Sequence, residues 1–128
     1  MTLSIRESTA QDAPEAPTYA QAMEVRGAER ILFVSGQIPV RRDGTVPATF
    51  AEQAEVAWSN VLAQLRAARM TVDNLVKVTI FLSDRKYIDE YRRTRDAALG
   101  GRRIGLTTII TGIFGEGWLL GIETIPAA

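Results

Sequence analysis

The residues whose types and spacing could do chemistry are few, and they cluster in one stretch, Ile31-Leu32-Phe33-Val34-Ser35-Gly36-Gln37-Ile38-Pro39. It opens as an apolar, β-branched and aromatic run that reads as a buried strand. Ser35, Gly36 and Gln37 then put a hydroxyl, a bare backbone position and an amide where that strand ends, and Pro39 stops further ladder pairing. Such a segment could floor a polar pocket. Taken alone, it is better explained as a strand closing in a glycine turn. The chain holds no Cys and no His, which removes the thiol nucleophile, the commonest general base and the commonest metal ligand together. Chemistry must therefore use carboxylates, hydroxyls, backbone N–H groups, arginine or bound water. The acidic residues are scattered (Asp43, Glu52, Glu55, Asp89, Glu90), so no carboxylate cluster suggests a metal. No glycine-rich phosphate motif suggests a nucleotide cofactor, and none is expected.

The chain's 128 residues set the frame of a single domain over 1–128. Fifteen basic and fifteen acidic residues cancel, so no global field draws the protein to nucleic acid or membrane. Arg92, Arg93, Arg95, Arg102 and Arg103 form a local basic cluster, read as a solvated helix face because no aromatic stripe accompanies it. The absence of cysteine fits a reducing cytoplasm. The N-terminus lacks the pattern of a signal peptide, and no apolar run reaches membrane-spanning length.

The elements that must position these residues follow from periodicity. Leu3–Glu7 reads as a short edge strand and residues 8–17 as an irregular arm. Met23–Arg26 alternates and, through Gly27-Ala28-Glu29-Arg30, should form a hairpin with Ile31–Ser35. Thr49 and Glu52 have capping-box spacing and open a helix over Phe50–Arg69, with one wide apolar face. Asn74–Leu82 is a strand whose two faces hold Val76, Val78, Ile80, Leu82 and Leu75, Lys77, Thr79, Phe81. Ser83-Asp84 should cap a helix over Lys86–Leu99, with Arg92, Arg93, Arg95 and Asp96 on its charged side. Leu106–Ile113 and Trp118–Ile125 close the chain as strands. The order β-β-β-α-β-α-β-β predicts an α+β fold, one mixed sheet of about six strands with two helices on one face. The other face has no element left to cover it, and a closed homo-oligomer is the simple answer.

In order and spacing, Tyr19-Ala20-Gln21-Ala22, Phe33–Pro39, Asn60-Val61-Leu62, Asp73–Asp84 and Gly121-Ile122-Glu123-Thr124-Ile125 resemble the Rid family of reactive-intermediate deaminases, the YjgF-like proteins also called L-PSP endoribonucleases. The resemblance runs from about Tyr19 to the C-terminus. It implies a chorismate-mutase-like fold, a barrel-like homotrimer and ligand clefts between subunits. It implies enamine or imine hydrolysis to 2-keto acids and ammonia. An arginine in a Pro-Ala-Arg-Ser/Thr motif would hold the substrate carboxylate bidentately, and a glutamate in the last strand would position water.

This chain departs from that pattern twice. Ile104-Gly105-Leu106-Thr107-Thr108 stands at the motif, so Leu106 replaces the arginine, and Gly121 replaces the glutamate. A leucine leaves a buried carboxylate unpaired, at a cost of about several kcal/mol. Glu123 is the flanking glutamate, roughly 6.5–7 Å along the strand; it is the nominated general base, with an interface hydrogen-bond acceptor for a backbone group or Lys77 as its plainer account. Arg102 and Arg103 lie just upstream and could reach back toward the missing cation. The expected pocket comprises Tyr19, Ser35, Gly36, Gln37, Leu106, Thr107, Thr108, Gly121 and Glu123. It is expected to take a neutral or apolar-headed small molecule rather than a simple 2-imino acid. The alternatives are an active hydrolase of changed specificity and a non-catalytic metabolite-binding or regulatory trimer.

Overall fold

The computed structural model describes all 128 residues. The chain forms β1 (Ser4–Glu7), β2 (Met23–Arg26), β3 (Val34–Gln37), α1 (Phe50–Ala67), β4 (Leu75–Leu82), α2 (Ile88–Leu99), β5 (Gly105–Ile110) and β6 (Leu120–Pro126). Element types and order match the sequence reading. The strand pairing does not.

The six strands make two sheets, not one. β1 and β2 form an antiparallel pair, while β3, β6, β4 and β5 form a four-stranded sheet in that order. One bridge, Ala20 to Gly105, links the two, with the Ala20 N–H donating to Ile104 O at 2.9 Å. The expected hairpin between Met23–Arg26 and Ile31–Ser35 is absent. Gly27, at φ 70°, passes so close to Thr2 that a Cβ there would lie 2.5 Å from the Thr2 carbonyl oxygen, so the β1–β2 pair depends on its bare backbone. The chain then crosses to its own C-terminal end. Glu29 and Arg30 donate to Ala128 O, and Leu32 donates to Pro126 O, which delivers β3 to the edge of the four-stranded sheet beside β6.

Both helices cover one face, for a topological reason. β4 runs parallel to β5, and β3 and β4 are both antiparallel to β6. The connections β3–α1–β4 and β4–α2–β5 are thus crossovers that step in one direction across the sheet, and a common right hand puts both helices on the same side. There, Val78, Ile80, Leu82, Leu120 and Ile122 pack against Ala54, Ala57, Trp58, Val61 and Leu65 of α1 and Tyr91 and Leu99 of α2. A bulge between Leu75 and Lys77 shifts the alternation of β4, so Leu75, not Val76, joins this core.

Helix boundaries follow local chemistry. The Thr49 hydroxyl accepts from the Glu52 N–H at 3.3 Å and starts α1. α1 ends two residues before the expected Arg69, which instead adopts a left-handed φ of 59°. Asp84 Oδ1 accepts from the Lys86 N–H at 2.9 Å, opening a 3-10 turn over Arg85–Tyr87 from which α2 continues to Leu99. Arg92 and Arg93 are solvated, but Arg95, expected beside them, is buried.

The opposite face of the sheet carries Lys77, Thr79 and Phe81 of β4, their register partners Thr107 and Ile109 of β5, and Gly121 and Glu123 of β6. No helix covers it, and β2 approaches it only at one end, where Met23 lies beside Gly105 and Lys77. At its β3 edge Ile31 is 61% and Phe33 74% exposed, so alternate residues of the apolar run expected to be buried are bare in the single chain, while Leu32 and Val34 face the core.

Candidate functional site

β5 places Leu106 and Thr108 on the helix side of the sheet, because residues two apart share a face. Leu106 and Tyr19 line a cavity of ≈ 330 Å³ with Thr18, Arg95, Arg102 and Arg103. An adjoining groove of ≈ 640 Å³ shares Leu106, Tyr19, Thr18 and Arg95 and adds Tyr91, Arg92 and Thr108. Of the nine predicted residues, this pocket gathers three: Tyr19, Leu106 and Thr108.

The other six lie elsewhere. Thr107 points to the open face and accepts a hydrogen bond from Lys77 Nζ at 2.6 Å. Glu123 is opposite Thr79 on that face, is exposed, and shares a cleft of ≈ 280 Å³ with Ser35, Phe33 and Ile125. Lys77 is bonded to Thr107 rather than to Glu123. Ser35, Gly36 and Gln37 are the last three residues of β3, at the strand end as expected, although the strand starts at Val34 rather than Ile31. Val34 opposes Thr124 while Gln37 opposes Ile122, so three steps on β3 meet two on β6, and the expected strand end is an edge bulge. Gln37 donates back to Ser35 O at 2.9 Å. Gly121 is opposite Phe81, and a Cβ there would come no nearer than 3.8 Å to Gln37 O. The sheet thus separates Tyr19, Leu106 and Thr108 on one side from Ser35, Thr107, Gly121 and Glu123 on the other.

The two arginines expected as replacements for the missing cation are engaged. Arg102 pairs with Asp73 at 2.6 Å and donates to Leu99 O at 2.9 Å. Arg103 is bonded to both Glu7 carboxylate oxygens, at 2.8 and 3.2 Å, and to the carbonyls of Ala16 and Pro17. It ties the N-terminal arm down beside Tyr19. The Arg103 guanidinium holds the Glu7 carboxyl below the usual range, and Glu7 in turn raises Arg103.

The cation that sequence reasoning missed is Arg95, only 6% exposed. Its Nη1 donates to the Tyr91 hydroxyl at 3.3 Å, its Nη2 to Thr18 Oγ1 at 3.4 Å, and Asp96 pairs with it at 3.1 Å. Burial opposes its charge, but the Tyr91 hydroxyl and Asp96 more than offset that and raise its pKa. The signal was available in the helical period: Arg95 is four residues after Tyr91, hence on the same sheet-facing side of α2.

The family described as Endoribonuclease L-PSP matches residues 10–111, a span that ends before Gly121 and Glu123. The mitochondrial protein MMF1 of Saccharomyces cerevisiae is 39% identical over 85 residues, 66% of this chain and 57% of that protein. TdcF of Escherichia coli, which carries the name of a reactive intermediate deaminase, is 32% identical over 88 residues, 59% of this chain and 66% of that protein. The aligned part therefore spans less than two thirds of these relatives. Among solved structures, the Rid-family protein YyfB of Yersinia pestis, of unknown function, superposes with a TM-score of 0.83 over 97% of this chain and 98% of its own, at 14% identity, a likeness of fold alone. With most of its length matched by the family and its fold shared with Rid structures, the chain belongs to the Rid or YjgF-like proteins, the L-PSP family.

Proposed function

We propose that this protein is a homotrimer with small-molecule pockets between its copies, and that it does not hydrolyse short 2-imino acids in the manner of the Rid deaminases it resembles. One observation carries the reading. At the position where those deaminases place the carboxylate-binding arginine, Leu106 lines the pocket, and Arg102 and Arg103 are spent on Asp73 and Glu7. The division of the predicted residues between two sheet faces supports a site completed between copies, since one chain cannot close it. The bare apolar positions Ile31 and Phe33 at the edge of the open face support assembly through it. Nucleic acid is not the proposed partner. Of the five clustered arginines, Arg95 is buried and Arg102 and Arg103 are paired, which leaves Arg92 and Arg93. No helix is long and apolar enough to cross a membrane. The proposed location is the cytoplasm, although the relative MMF1 is named as mitochondrial.

The test is release of ammonia and 2-oxopropanoate from freshly generated 2-iminopropanoate. The wild type is expected to be inert, and Leu106→Arg with Gly121→Glu to gain activity of at least about 100-fold over it, as restored substrate binding and a placed general base would give. A Cβ at Gly121 meets nothing nearer than Gln37 O at 3.8 Å. Wild-type turnover would overturn the reading. Arg95 in the pocket wall favours a second reading, a site of changed specificity rather than an empty one.

A further inference from the structure

We propose that Arg95, acting through Tyr91 and Thr108, is a relocated anchor for the carboxylate of an amphipathic small molecule in the groove between α2, β5 and the N-terminal arm. The inference rests on the reading of this groove as a Rid-type pocket, and it adds the ligand's head group and the residues that hold it.

The argument starts from donors and acceptors. A guanidinium can only donate. The Tyr91 oxygen therefore accepts from Arg95 at 3.3 Å, and it shares one hydrogen bond with Thr108 Oγ1, 2.7 Å away, in which either hydroxyl can donate. Whichever donates, the other hydroxyl hydrogen of the pair has no acceptor within the chain, and both residues line the groove. Thr18 is in the same condition: its oxygen accepts from Arg95, its hydrogen has no acceptor, and it faces the same space. A buried positive charge thus polarises two hydroxyl donors that converge on one cavity, and each relay bond strengthens the next. Such a cavity suits an acceptor with two oxygens. Asp96 already pairs with Arg95, so this guanidinium is engaged as those of Arg102 and Arg103 are; the ligand oxygens meet the hydroxyls it polarises rather than the guanidinium itself, which favours a monoanion over a dianion. Leu106, Ile88 and Tyr19 on the same walls supply apolar surface for the rest of the ligand. Thr108 lies two residues beyond Leu106 on the same face of β5, so the anchor sits roughly 6.5–7 Å further along the strand than the family arginine. A ligand longer than a three-carbon imino acid is the consequence.

Calorimetric titration of the intact oligomer with phenylpyruvate, its neutral methyl ester and inorganic phosphate tests this. Phenylpyruvate should bind the wild type, Arg95→Met should weaken it about tenfold or more, and Tyr91→Phe and Thr108→Val should each weaken it about three- to tenfold. The ester should bind weakly and equally to all four proteins. If Arg95→Met fails to fold, the Tyr91 and Thr108 variants carry the test. Unchanged phenylpyruvate affinity in the folded variants, no binding to the wild type at millimolar concentration, or tighter binding of phosphate would each overturn the proposal. This outcome is separable from the deaminase assay: the anchor can fail while the wild type stays inert, and the wild type can turn over 2-iminopropanoate whatever the Arg95 variant binds.

Discussion

Arg103 and Arg95 are both arginines near Leu106, and their surroundings give them different work. Arg103 is a tether. Its bonds to Glu7 and to the Ala16 and Pro17 carbonyls hold the arm that carries Tyr19. Because the Glu7 carboxyl is pulled below its ordinary value by Arg103, the folded arm favours the ionised form. That contribution is fully present above the ordinary glutamate value, about 4.3, and is lost as pH falls through the lowered folded value. Hydrogen exchange should read this at the Ala20 amide, which is bonded to Ile104 O. Its protection is expected to fall on acidification below about pH 4.3. Arg103→Gln should show the low protection already at neutral pH, with little further acid response. A wild-type amide that stays equally protected through the acid range would show that the tether does not hold the arm.

At the scale of elements, α1 does more than supply an apolar face. Gln53 is 2% exposed, an unusual place for an amide, and all its bonds run to backbone. Its Nε2 donates to Pro47 O and Gly117 O, both at 2.9 Å, and its Oε1 accepts from the Leu119 N–H at 2.8 Å. It therefore fixes the entry to α1 and the loop before β6, which sets the register at which Gly121 and Glu123 enter the sheet. Gln53→Met keeps the volume and strands three backbone groups, and a loss of about 3 kcal/mol is expected in urea unfolding. A loss under about 0.5 kcal/mol, the level of an ordinary surface substitution, would mean that the loop finds other partners. The strands were read less well than the helices for a reason visible in β3 and β4. A bulge costs one residue of alternation, and nothing in the side chains of Ser35-Gly36 or Leu75-Val76 announces it.

The whole molecule is one covered sheet face and one bare one. Ile109, Phe33 and Ile31 are exposed at 39%, 74% and 61%, and a face of this kind aggregates or assembles. Light scattering at micromolar concentration should give a mass near three chains for the wild type, and Ile109→Lys should shift it toward the monomer by placing a charge in the apolar contact. A wild-type monomer would remove the inter-copy pocket. Two right-handed crossovers dictate which face is bare, and that topology was implicit in the order of the elements. The site was less legible. Tyr19, Leu106 and Thr108 line one groove, while Ser35, Thr107, Gly121 and Glu123 fall on the far side of the sheet; alternation along β5 splits Thr107 from its neighbours.

The sequence by itself determined the elements, their order, the start of α1 and the family, since these rest on local periodicity, caps and short motifs that each residue carries with it; α2 begins at Ile88, two residues after the expected Lys86, behind a 3-10 turn. It also determined that position 106 cannot bind an anion through a guanidinium. Only the tertiary structure decided which strands pair, that β1 and β2 form their own sheet, and that Arg102 and Arg103 are already partnered. It alone put Arg95 in the pocket wall. Pairing and partnering are contacts between residues distant in the chain, where packing, bulges and the path of the N-terminal arm choose among alternatives that local pattern leaves equal.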